Sequence, residues 1–225
     1  MLSIGIDFGQ IRDPTTIACV KSYNRAVASE AARRPRTQRH HVLTHLEKLP
    51  LGLSYPEQCD RLVALAVEWA GDERPTIWLD GTGSPVATDL FRPLSPFPTR
   101  VVKITMQGTV TSHGRDMSVG KPVLVGALES ALSTRRAHAG PGLRHGAGKW
   151  GEHWESSVAA DLDRELRAFG YSYTDSGNVK FEGKGAHDDL VIALALAIWG
   201  GERGGAGEAF LQHMRSDLAE PPISA

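Results

Sequence analysis

An α/β fold, a mixed β-sheet flanked by helices, is predicted by three features of the chain. It opens with two strand-like runs, residues 2–8 and 15–23, joined by a short turn, which suits antiparallel pairing. Its middle reads strand, helix, strand, which requires parallel pairing through a right-handed crossover. Three of its buried runs begin or end in aspartate: Asp7, Asp80 and the pair Asp188 and Asp189.

Each element has its own warrant. Residues 2–8 are apolar on both faces, as a central strand demands. Residues 9–14 form a turn, and 15–23 are rich in β-branched side chains. Residues 24–39 break the pattern with Arg25, Arg33, Arg34, Arg36 and Arg39 against Glu30 alone, and 41–49 alternate as a third strand. These segments predict a long hairpin with a mobile, positive tip. Residues 55–70 carry helical spacing, with Leu62, Leu65, Ala66 and Trp69 on one face. Residues 75–80 are a buried strand, followed by the tight turn Gly81-Thr82-Gly83. Ser84 then caps a helix that has Pro85 at its first position.

Residues 100–106 form the next strand, and 120–133 become helical beyond Pro122. Residues 133–149 are a Gly-rich loop holding Arg135, Arg136, Arg144 and Lys149 with no acid. An amphipathic helix over 150–169 precedes a hairpin over 171–181, turning at Ser176-Gly177. Residues 188–199 form an apolar helix, about half a membrane span in length. Residues 200–225, rich in Gly, Ala and Pro, predict a mobile tail, so the expected division is a domain over 1–200 and a tail over 201–225.

Bulk properties narrow the function. The net charge of −1 means that any nucleic-acid binding comes from local basic patches. The two stretches around Arg25–Arg39 and Arg135–Lys149 are the candidates for a sequence-independent, salt-sensitive phosphate track. Cys19 and Cys59 lack metal-ligand spacing and read as reduced packing residues, which fits the cytoplasm. Met1 leads straight into a strand, so no secretory leader is expected, and no run is long enough to cross a membrane.

The aspartates carry the chemistry. A carboxylate at the tip of a buried segment is costly to desolvate. Convergence of Asp7, Asp80, Asp188 and Asp189 around divalent cations would neutralise them. Hard oxygen ligands suit Mg²⁺ or Mn²⁺, and a pair of such ions activates water against a phosphodiester. Asp7 is expected to bridge both ions. Adjacent helical residues point about 100° apart, so Asp188 and Asp189 need not face the same ion. The plainer roles are turn formation for Asp80 and Asp13 and helix capping for one of the last pair. Asp13 and His187 are candidates to assist from the rim, and Lys121, Lys180 and Lys184 are cations near these motifs.

Here a family pattern emerges. Ile4-Gly5-Ile6-Asp7-Phe8-Gly9, continued by Asp13-Pro14-Thr15-Thr16, resembles the first strand of the nuclease domain of phage terminase large subunits. Trp78-Leu79-Asp80-Gly81-Thr82-Gly83 resembles that family's second acidic motif. Gly185-Ala186-His187-Asp188-Asp189-Leu190, running into an Ala/Leu-rich helix, is similar to its third. The likeness spans about residues 2–200. It implies an RNase H-like fold and a two-metal endonuclease that cuts double-stranded DNA during genome packaging in the cytoplasm of a bacterial host. It also implies working partners: a packaging ATPase, a small terminase subunit or a portal.

One departure is clear. The nearest phosphate-loop-like stretch, residues 114–122, has five residues between Gly114 and Gly120, and Pro122 where Ser or Thr belongs. No ATPase motor is expected from this chain, which reads as a free-standing or excised nuclease domain. Alternatives are a Holliday-junction-resolvase-like nuclease and a non-catalytic DNA-binding module of the same fold. A sugar-kinase or heat-shock-type ATPase shares a strand like residues 4–9, but no second such strand with a Gly-rich turn follows.

Overall fold

The structure, a computed structural model, describes residues 1–9, 13–27, 36–106, 109–140, 143, 158–173, 179–183 and 187–217. The strands are β1 (Leu2–Asp7), β2 (Thr16–Val27), β3 (Arg36–Lys48), β4 (Thr76–Asp80), β5 (Thr99–Thr105), β6 (Val110–His113), β7 (Asp116–Gly120), β8 (Ala137–Ala139), β9 (Phe169–Tyr173) and β10 (Val179–Gly183). The helices are α1 (Tyr55–Ala70), α2 (Pro85–Leu94), α3 (Lys121–Ser133), α4 (Val158–Ala168) and α5 (Asp189–Asp217). Eight strands form one mixed sheet in the order β6-β7-β5-β4-β1-β2-β3-β8, and β9 and β10 pair separately. The opening pairs β1–β2 and β2–β3 are antiparallel. The pairs β1–β4, β4–β5 and β5–β7 are parallel, as the strand–helix–strand pattern requires.

Strand alternation sorts the core into two layers. Ile4, Ile6, Ile17, Ile77 and Leu79 pack with Leu62 of α1 and Phe91 of α2 on one face. Ala18, Val20, Leu43, Trp78, Val102 and Val119 face α3, α4 and α5 on the other. Every residue of α5 from Leu190 to Trp199 is 4% exposed or less, so this stretch of the helix is buried on all sides. It lies across the central strand. A Cβ on Gly5 would fall 2.0 Å from the Ala193 carbonyl oxygen and 2.7 Å from the Ala197 nitrogen. Only a residue without a side chain lets helix and strand approach this closely.

Several boundaries differ from expectation for identifiable reasons. The hairpin strands reach further into the basic segment: β2 extends to Val27 and β3 starts at Arg36, in register through Val27↔Arg36. The antiparallel pair β6–β7 was not foreseen, nor was β8, three residues that pair in parallel with β3. Ser84 stands at the cap of α2, yet it makes no side-chain capping bond; its Oγ lies 3.3 Å from the Tyr55 hydroxyl. Helix α5 continues through Gly200-Gly201 to Asp217 rather than ending at Trp199. Of the expected amphipathic helix, residues 158–168 are helical and 150–157 lie outside the described residues. The tip of the long hairpin, the turn at Ser176-Gly177 and residues 218–225 also lie outside them. Among the described residues no helix is long and apolar enough to cross a membrane.

Candidate metal centre

Register and parity bring the acids to one place. Ile6 pairs with Leu79 in the parallel β1–β4 ladder, so Asp7 and Asp80 stand next to each other at the carboxyl ends of neighbouring strands. Asp7 shares the strand face of Gly5, and Asp80 that of Trp78, which is the face covered by α5. Along α5, Ala197, Ala193 and Asp189 recur every fourth residue on one side of the helix. With Ala193 and Ala197 seated on Gly5, the turn before them brings Asp189 to the level of Asp7. Thr16, the register partner of Asp7, fixes this height by donating from its hydroxyl to the Asp189 carbonyl at 2.8 Å.

The electrostatics follow from that crowding. Burial, then the charges of Asp80, Asp189 and Asp188, hold the Asp7 carboxyl well above the ordinary carboxylate range, with Lys121 opposing. Burial likewise raises Asp80, against the pull of Thr82 and Lys121. The Thr82 amide donates to Asp80 Oδ1 at 2.7 Å, the side-chain turn expected of Asp-Gly-Thr. Asp189 is pushed up to about 6 by burial and by the charges of Asp13 and Asp188, with His187 and Lys48 opposing. At the rim, His187 Nδ1 lies 3.1 Å from Asp13 Oδ1 and 3.7 Å from Asp189 Oδ2. Asp13, His187 and Asp189 each offer a ligand atom within 4.8 Å of the others.

Two participants take roles that the sequence does not point to. Lys121, the first residue of α3, places its Nζ 2.7 Å from Asp188 Oδ2 and is the cation that acts on Asp7 and Asp80. The sequence offers it as one of three cations near the acidic motifs, and nothing there points it at Asp188. Glu165 of α4 is buried and raised to about 7, chiefly by that burial. It looked like one more acid on an amphipathic helix.

The basic residues divide. Arg25 and Arg135 are exposed. Arg136 is structurally engaged: its guanidinium donates to Glu202 Oε1 at 2.5 Å and to the Arg39 carbonyl at 3.2 Å. Glu202 also meets His41 Nε2 at 3.0 Å, and His41 Nδ1 lies 2.9 Å from Ser22 Oγ. Arg39 reaches the Gly201 carbonyl at 3.2 Å and Asn24 Oδ1 at 3.1 Å. These bonds tie the start of the expected tail to the sheet. Arg33, Arg34, Arg144 and Lys149, together with Lys184 and the side chains of Arg36 and Lys180, lie outside the described residues.

The fold, a mixed sheet crossed by a buried helix, is RNase H-like. Among solved structures, it matches the nuclease domain of large terminase subunits in particular. The large terminase nuclease from thermophilic phage G20c superposes with a TM-score of 0.52 at 22% identity, covering 88% of this chain and 80% of that one. The same nuclease with bound cobalt gives 0.52 at 21%, over 88% and 80% of the two chains. The nuclease domain of the large terminase subunit gp2 of bacterial virus Sf6 gives 0.54 at 12%, over 88% and 87%. No family model and no curated protein matches the chain.

Proposed function

We propose that this chain is a divalent-metal-dependent endonuclease that cuts double-stranded DNA, acting in viral genome packaging within the host cytoplasm. The observation that carries the reading is the crowding of acids from β1, β4 and the start of α5, close enough for their charges to act on one another. The residues fit a hard cation. Asp189 Oδ2 is buried without a hydrogen-bond donor among the described residues, and the ligand atoms on offer are carboxylate oxygens whose ionisation is opposed by burial and then by mutual repulsion. Asp7, Asp80, Asp188 and Asp189 would hold a pair of Mg²⁺ or Mn²⁺ ions. Such ions, when bound, supply Lewis-acid activation of water and charge relief at the scissile phosphate.

The chain's own groups do the rest. Lys121 holds Asp188 in place and balances part of the negative charge. Asp13 faces His187 Nδ1 at 3.1 Å and so orients the ring at the rim. Arg25 and its exposed neighbours hold the duplex without contributing to the chemistry. The implied partners are duplex DNA and a separate packaging ATPase.

Purified protein is expected to nick and linearise plasmid with Mg²⁺ or Mn²⁺ and to stop on chelation. No cutting with either metal would reject the reading, and a strong preference for four-way junctions over duplex would favour a resolvase. Arg25→Ala is expected to weaken duplex binding and to reduce the salt slope of log K by about 1. Arg136→Ala should instead lower the melting temperature, because it breaks the contacts to Glu202 and Arg39.

The raised carboxyls set the pH response. A folded-state pKa above the unfolded value means that the native state binds more protons in between. Stability of the metal-free protein therefore falls as pH rises from about 4 through about 6, the window of Asp189. Cations compete with those protons. Millimolar Mn²⁺ is expected to raise Tm little at pH 5 and by several degrees at pH 7.5. Equal shifts at both pH values, or none, would count against carboxylate ligation.

A further inference from the structure

The first turn of α5 presents both Asp188 and Asp189, and it is capped in an unusual way. Asp188 occupies the cap position: its carbonyl accepts from the Ile192 amide at 2.9 Å, and the helix begins at Asp189. An aspartate there ordinarily turns its carboxylate back onto the amides two and three residues further on. Those amides belong to Leu190 and Val191, and they are already taken. Glu165 Oε2 accepts from the Leu190 amide at 3.0 Å, and the same carboxylate accepts from Val191.

Glu165 comes from α4 and is 5% exposed. Lys48, whose Nζ lies 3.1 Å from Asp161 Oδ2, stands 3.8 Å from it. A carboxylate this buried requires acceptor duty to offset its desolvation, and the helix terminus supplies the donors. The Asp188 carboxylate, relieved of capping, is directed to Lys121 at 2.7 Å.

We propose that Glu165 caps α5 in place of Asp188 and is thereby a positioning residue that frees the Asp188 carboxylate for the acidic centre. The inference rests on reading that centre as the metal site. Without Glu165, Asp188 falls back onto its own helix and leaves the centre one ligand short.

The test has a metal-free arm and a loaded arm. In metal-free protein, amide exchange at Leu190 and Val191 is followed by NMR. Asp188→Ala is expected to leave both amides protected, because Glu165 holds them. Combining it with Glu165→Met, which fills the space without an acceptor, is expected to speed their exchange at least about tenfold. Loss of protection in Asp188→Ala alone would overturn the proposal.

In the loaded arm, Glu165→Met is expected to weaken Mn²⁺ binding, read by calorimetry, by about 10–100-fold. The kcat for duplex cleavage should fall in step while KM for DNA stays within about twofold. Glu165→Gln keeps an acceptor oxygen and should hold Mn²⁺ affinity within about threefold of wild type. A tenfold loss in that variant would overturn the proposal even if the methionine variant failed to fold, and so would wild-type Mn²⁺ affinity in Glu165→Met. If the wild-type protein neither binds Mn²⁺ nor cuts DNA, the functional reading fails, and the exchange pattern still decides the capping.

Discussion

Asp7→Asn is expected to abolish metal-dependent cleavage of duplex DNA while making the metal-free protein more stable. Asp7 stands among Asp80, Asp188 and Asp189, and its ionised form is opposed by burial and by all three. Asparagine keeps the shape and removes the charge, so the mutual repulsion falls. About 1 kcal/mol of relief would raise Tm by about 2–4 °C. The same change removes one of the carboxylates proposed to hold the ions. A loss of at least about a thousandfold, about 4 kcal/mol of transition-state stabilisation, is the expected result. Plasmid cleavage with Mn²⁺, followed beside thermal melting in EDTA, tests both halves. Cutting at the wild-type rate would remove Asp7 from the chemistry, and a sharply lower Tm would make its role structural.

Gly5→Ala should be a strongly damaging single-methyl change. The added carbon would meet the backbone of Ala193 and Ala197 at 2.0 and 2.7 Å, and backbone has no alternative rotamer to adopt. Helix α5 must shift off the strand, opening the packing of residues that are now wholly buried. A penalty of about 3 kcal/mol, at the upper end for overpacking, corresponds to a Tm lower by about 6–12 °C. Cleavage should fall too, because α5 carries Asp188 and Asp189. A variant melting within a degree of wild type would contradict the seating of α5 on β1.

The central strands and most helices were legible because their signals are local. Residues 55–70 announce a helix by spacing, and the apolar runs before Asp7 and Asp80 announce buried strands. The candidate acids were legible for a related reason: a charge at the end of such a run is conspicuous. What was lost depends on contacts between distant segments. Gly200 and Gly201 look like a helix stop. In place, a Cβ on Gly200 would strike the Trp78 ring and one on Gly201 the Ser22 hydroxyl, so the glycines are what let α5 continue past the sheet. The pair β6–β7 turns at Gly114, whose φ of 65° suits glycine, but its strands are short and half polar. Strand β8 has three residues and exists because β3 offers it an edge. Lys121 and Glu165 are ordinary charged residues until α3, α4 and α5 come together.

The way α5 crosses β1 also has a bearing on synthesis. Asp7 and Asp80 leave the ribosome more than a hundred residues before their partners at the last buried helix. Contacts of such long range form late. A nascent or prematurely terminated polypeptide would thus display an incomplete acid set, harmless to the nucleic acid around it. The acid set would be complete and seated only when translation has carried the chain past Trp199.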